Sequence, residues 1–301
     1  MNDSRSATPA EQARSDNAAS PVLDVAGLSK SFGSIRAVDA LTFSLAPGEF
    51  VGLLGPNGAG KTTIIKMLTG LMRPDAGTIR YYGRDFLRRP LEAKRDIGVV
   101  HQISNLDRDL TARENLTLHA VLHGLGGALR RERIEETLRL AGLESSGDRP
   151  VKTFSGGMGR RLVIVRALLH EPKILFLDEP TVGLDPQIRR DLWDLIIRIN
   201  QSRKTAILLT THYIEEAERL CSRVLILNDG RLAAEDSPAE LKRGMGKFVV
   251  EFLRDEGMEE AFFETREEAV ARLGTCTGTC KVREATLEDV FLKLTGRRIA
   301  R

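Results

Sequence analysis

The chain is short of cysteine, of long apolar runs and of net charge, and each shortage removes a class of function. Three cysteines in 301 residues cannot make a disulfide framework. Cys276 and Cys280 have C-x₃-C spacing, which is neither a usual zinc nor a usual redox pattern, and no histidine follows to complete a site. They read as loop or strand residues, and Cys221, in an apolar helical stretch, reads as a small core residue. No apolar run approaches the roughly 18 residues that a membrane-spanning helix needs, so any membrane contact would pass through another chain. The N-terminus lacks the apolar core of a secretory signal, and its Asp and Glu residues argue against an organelle transit peptide. A soluble, cytoplasmic protein is expected. A net charge of +3 with 29% charged residues points to no particular partner.

What is present is enough apolar residue, 42%, for one large domain or two smaller ones. Met1 to about Ser20 has no periodicity and reads as a disordered tail. Gly55-Pro56-Asn57-Gly58-Ala59-Gly60-Lys61-Thr62 organises the rest of the chain, because it fits the phosphate-loop pattern G-x-x-x-x-G-K-[ST]. Phe50–Leu54 before it reads as a buried strand, and Thr63–Leu71 after it has helical spacing, the context this motif requires. The glycines let backbone N–H groups curl around phosphate oxygens, and the helix N-terminus adds partial positive charge. Lys61 would reach the β- and γ-phosphates, Thr62 is placed for Mg²⁺, and Thr63 completes the phosphate-contacting set.

Around the loop, Val22–Val25, Phe43–Leu45 and Thr78–Gly83 read as antiparallel pieces, and Ile97–Val100 as a buried strand ending at His101-Gln102. From Ile103 to about Pro172 the pattern is helical, with a capping box at Thr111–Glu114 and helices over Arg131–Ala141 and Gly159–Leu169. Ile174–Leu177, Ala206–Thr210 and Val224–Leu227 are further buried strands, with Leu192–Ile199 helical between them. The expected fold is α/β: a mainly parallel P-loop core over 21–240, an antiparallel β subdomain at its front and an inserted helical subdomain at about 103–172. Residues 247–301 read as a small α+β appendage with a strand at Phe248–Leu253 and a last helix at Leu287–Leu294.

Two further stretches carry chemistry. Phe176-Leu177-Asp178-Glu179 ejects two carboxylates at the C-terminal end of a strand, where open α/β sheets bind ligands. Asp178 would hold Mg²⁺, and Glu179 would polarise the water that attacks the γ-phosphate. Ser155-Gly156-Gly157 offers a hydroxyl and bare N–H groups at a helix start, a second phosphate-reading surface. Phe32 precedes the phosphate loop; from its position alone it reads equally as a core residue or as a ring stacked on a base.

With Gln102 after a strand, Gly183-Leu184-Asp185-Pro186, and His212 after Thr210-Thr211, these motifs resemble the ATP-binding subunit of an ABC transporter over Val22 to Ser237. The resemblance implies two cassettes, identical or paired as a heterodimer, stacked head to tail around two ATP molecules. Lys61 of one and Ser155, Gly156 and Gly157 of the other would contact the same triphosphate. It further implies that His212 senses the γ-phosphate and shares catalysis with Glu179 and Lys61, and that Asp185 links the two sites. Gln102 would respond to ATP and Mg²⁺, and Phe32 would stack on adenine. Phe154, Met158 and Gly159 depart from the Leu, Gln and basic residue commoner in the superfamily. Asp178–Pro186 and Thr286–Leu292 resemble the ABC-2 export group, which implies separate transmembrane permease subunits and a location on the inner face of the membrane. An importer cassette is the alternative within the family. A soluble relative acting on DNA or the ribosome would need long coiled coils or two cassettes per chain, so no direct nucleic-acid contact is expected. A P-loop kinase or GTPase would leave Ser155-Gly156-Gly157 and His212 unexplained.

Overall fold

In the computed structural model, which describes residues 20–254, 257–274 and 280–296, the chain opens with a long hairpin, β1 (Leu23–Phe32) and β2 (Ile35–Leu45). The expected tail and Cys276 lie outside the described residues. Only the ends of this hairpin alternate cleanly in sequence. Register shifts at Val25/Leu28, Leu28/Lys30 and Lys30/Ser31 break the two-residue period, so the residue pattern marks only short strands. Next come β3 (Phe50–Leu54), α1 (Lys61–Leu68), β4 (Ala76–Tyr81), β5 (Arg84–Asp85), α2 (Pro90–Lys94) and β6 (Ile97–Val100). β4 pairs antiparallel with β1, so the front sheet runs β2-β1-β4-β5.

Between β6 and the next strand lie α3 (Ala112–Leu122), α4 (Gly127–Ala141) and α5 (Gly156–Arg166). Thr111 caps α3 with the expected box: its hydroxyl accepts from the Glu114 N–H while Glu114 reaches back. α5 starts three residues earlier than its apolar spacing suggests, because Ser155 caps it by accepting from the Met158 N–H at 3.2 Å. The core continues with β7 (Ile174–Asp178), α6 (Pro186–Arg203), β8 (Ala206–Thr211), α7 (Ile214–Leu220), β9 (Arg223–Asn228) and β10 (Arg231–Asp236). α6 begins well before the expected Leu192, since Asp185 caps it and Pro186 occupies its first turn.

The central sheet has the order β10-β9-β3-β8-β7-β6, parallel except for β10, an antiparallel edge that the residue pattern does not mark out. Alternate residues of one strand serve opposite cores. Leu53, Phe176 and Leu208 pack towards α1 and the front hairpin, and Leu54, Leu177 and Leu209 pack towards α5 and α6. With both faces covered, the functional residues are left at the strand ends, where β6, β7, β8 and β3 lie in register.

After α8 (Pro238–Arg243), β11 (Phe248–Arg254), β12 (Gly257–Phe263) and β13 (Cys280–Glu284) form a small sheet in the order β12-β11-β13, with α9 (Arg266–Leu273) against it. The last helix, α10 (Leu287–Thr295), buries Leu287, Val290 and Phe291 in the main core instead. Arg283 ties sheet to helix by donating to both Asp289 carboxylate oxygens, at 2.6 and 2.7 Å.

Candidate functional site

The loop between β3 and α1 closes on itself as its glycines allow. Gly60 has φ +97°, and a Cβ there would stand 2.3 Å from the Ala37 carbonyl oxygen. Gly58 has φ +84° and faces open space. Only glycine meets both conditions at no cost. Lys61 opens α1 and is 5% exposed. Its ammonium donates to the carbonyls of Gly55 at 2.8 Å and Pro56 at 3.1 Å, and lies 3.3 Å from Glu179 Oε1. Burial pulls its pKa down, and Glu179 opposes that. The first turn of α1 holds no acidic residue, so buried cation and helix N-terminus both suit an anion.

The acidic side arrives from β7. Asp178 is buried, and its Oδ1 accepts from the Thr210 hydroxyl at 2.6 Å and, more loosely, from the Thr62 hydroxyl at 3.4 Å. Two hard oxygen ligands side by side suit Mg²⁺. Glu179 holds φ +46°, a left-handed backbone uncommon for this residue type. Gln102 Nε2 reaches its Oε2 at 3.4 Å, and His212 Nδ1 stands 3.3 Å from its Oε1 without a well-directed hydrogen bond. The contact with His212, then the Lys61 charge, outweigh burial and hold the Glu179 carboxyl below its ordinary range. It is an ionised carboxylate at neutral pH. A cavity of about 520 Å³ is lined by Asn57, Gly58, Lys61, Gln102, Glu179 and His212, with Gly60, Thr62 and Thr63 on the same wall.

Other expected site residues do not line this cavity. Phe32, at the hairpin tip, is 48% exposed, with the Lys30 ammonium 5.8 Å from its ring centre. Ser155, Gly156 and Asp185 stand exposed at the starts of α5 and α6, and Asp185 accepts from the Ile188 N–H at 3.0 Å. Gly157 packs so tightly there that a Cβ would meet Ile188 Cγ2 at 2.8 Å. The chain thus presents two separate candidate anion surfaces, one at Lys61 and one at Ser155.

Arg160 carries no motif in the sequence, yet the structure gives it a central place. It is 8% exposed on α5 and donates to the carbonyls of His101 at 2.8 Å, Gln102 at 3.2 Å, Glu179 at 3.3 Å and Pro180. One guanidinium therefore fastens the end of β6 to the end of β7, holding the backbone of Gln102 and Glu179 from behind. The available signal was a charge at i+3 from Gly157 and i−4 from Ile164, on the buried face of α5. Arg160→Met is expected to cost about 3 kcal/mol of stability, read from urea unfolding, because four carbonyls lose a charged donor. Phosphate release at saturating ATP is expected to fall more than nucleotide affinity, with Arg160→Lys between the two. Native turnover in Arg160→Met would reduce Arg160 to a packing residue.

Residues 38–182 match the family model described as ABC transporter. Two proteins named Nod factor export ATP-binding protein I are similar over nearly the whole chain. That of Ralstonia nicotianae is 42% identical, covering 92% of this chain and 94% of its own. That of Paraburkholderia xenovorans is 45% identical, covering 89% and 95%. Among solved structures, CbiO1 of Clostridium perfringens, part of the ABC transporter complex CbiONQ, aligns with TM-score 0.69 at 27% identity, over 73% of this chain and 90% of that one. A dimeric ATP-binding cassette in a post-hydrolysis state, bound to ADP and Pi, aligns with TM-score 0.64 at 29% identity, over 71% and 98%.

Proposed function

Since the chain belongs to the ABC transporter ATP-binding family, we propose that it hydrolyses ATP as a head-to-tail pair and drives export through separate membrane subunits. The observation that carries this reading is the separation of its two anion surfaces. Lys61, Gln102, Glu179 and His212 share one cavity, while Ser155 and Gly156 lie outside it. A second copy would bring its Ser155, Gly156 and Gly157 to the open side of that cavity. Each nucleotide would then lie between two chains, and a lone copy would hold half of each site.

Within such a site the loop N–H groups and Lys61 would hold the β- and γ-phosphates, and Phe32 would stack on adenine. Thr62 and Asp178 would hold Mg²⁺ beside Gln102; the ion would offset charge developing on the phosphate oxygens. Glu179 would take the proton of the attacking water. His212 would hold that carboxylate in place and contact the γ-phosphate, while Lys61 would turn from Glu179 to the nucleotide. Asp185 would pass closure from one site to the other.

Export is supported by the relatives, both of which are named as export ATP-binding proteins. Among the described residues no helix is long and apolar enough to cross a membrane, so transport would need permease chains. The test is co-purification from membranes of the native host. The chain is expected to stay with detergent-solubilised hydrophobic subunits through a high-salt wash. Recovery entirely in the soluble fraction, with and without ATP, would exclude the transport reading.

A further inference from the structure

Away from the nucleotide cavity, three histidines converge. His119 on α3 and His123 at its C-cap are four residues apart and share a face, and His170 enters from the turn between α5 and β7. Their ring centres are 4.6 Å apart for His119–His123, 6.0 Å for His119–His170 and 3.8 Å for His123–His170. One ring nitrogen of each lies within 4.8 Å of the others. With Asn105 and Arg166 they line a cavity of about 310 Å³.

Two buried nitrogens here, His119 Nε2 and His170 Nδ1, have no hydrogen-bond partner. Unpartnered buried polar atoms are costly and call for a ligand. His170 Nε2 lies 3.0 Å from the Ile97 carbonyl oxygen, which can only accept. Nε2 therefore carries the proton and Nδ1 keeps its lone pair. Metal-bound histidines are oriented the same way, by a carbonyl on the far nitrogen. We infer that His119, His123 and His170 form a binding site for one transition-metal dication of the Zn²⁺ class, with its fourth position open.

The chemistry agrees with the geometry. Burial lowers the His119 pKa to about 3 and that of His170 to about 4, and also lowers that of His123. All three rings are neutral at physiological pH, the form that ligates metal. Three imidazoles and an open position suit Zn²⁺, Co²⁺ or Ni²⁺ and not Mg²⁺ or Ca²⁺, which prefer oxygen. Two features limit affinity. Tetrahedral Zn–N bonds of about 2.0–2.1 Å bring the nitrogens closer than they stand here, so exposed His123 must turn off its stack on His170. The Arg166 guanidinium, which donates to the Asn105 carbonyl at 3.1 Å, also repels a cation. A bound ion would tie α3 to the turn before β7 and, through Ile97, to the strand that leads to Gln102.

The test is Co²⁺ titration of the untagged full chain in excess Mg²⁺, with Zn²⁺ as competitor. One equivalent per chain is expected to give the visible absorption of tetrahedral cobalt, without the near-ultraviolet band of thiolate ligation that the cysteines would add. Zn²⁺ is expected to displace it and raise the melting temperature. His170→Ala and His123→Gln are each expected to weaken binding about tenfold or more. His123 is exposed, so its substitution leaves the fold intact. No cobalt spectrum from the native chain, or an undiminished one from His123→Gln, would overturn the site and reduce the histidines to a neutral packed cluster.

Discussion

Glu179→Gln is expected to lower phosphate release by 10²- to 10⁴-fold while leaving ATP binding intact or tighter. The amide keeps the side chain's size and its place against Lys61 and His212, 3.3 Å from each, but cannot take a proton from water. It also removes a negative charge that would face the γ-phosphate, so the bound state gains as the chemical step is lost. Arrest before hydrolysis should trap the closed pair. Sedimentation of the variant with ATP and Mg²⁺ is therefore expected to show a dimer. A variant that turned over at the native rate would remove Glu179 from the base role and leave the cavity without an ionised acceptor of suitable reach.

Ser155→Arg is expected to abolish hydrolysis, by 10²-fold or more, while nucleotide affinity of the monomer changes about twofold or less. Ser155 lies outside the cavity that holds Lys61, so the substitution touches nothing a first nucleotide meets on the same chain. A bulky cation placed there would block the approach of a second copy. Losing the cap of α5 costs about 1 kcal/mol in its own right, so Ser155→Gly, which costs only a few tenths at a cap, is the control. Ser155→Gly is expected to fold normally and retain partial turnover. If Ser155→Arg lost nucleotide binding as a monomer, Ser155 would belong to the same-chain site.

The phosphate loop and the strand ending at Asp178-Glu179 were legible because both are local: a glycine pattern between strand and helix, and carboxylates ending an apolar run. Their meeting is not local. It follows from the sheet order β3-β8-β7-β6, which no residue pattern spells out. Thr210, whose hydroxyl fixes Asp178, reads in sequence only as a strand residue. Arg160 was hidden for a similar reason: its partners are carbonyl oxygens of other elements, and backbone acceptors leave no trace in side-chain identity. Helix starts differ from the sequence pattern where a cap sets them, as at Ser155 and Asp185, because apolar spacing marks the buried face of a helix and not its first turn.

Paired action is tested most directly by turnover per chain against chain concentration, at saturating ATP, with molar mass followed by light scattering. Turnover per chain is expected to climb with concentration and to vanish at dilutions where only monomer remains. A constant rate per chain across that range, held by molecules scattering as monomers, would contradict the shared site.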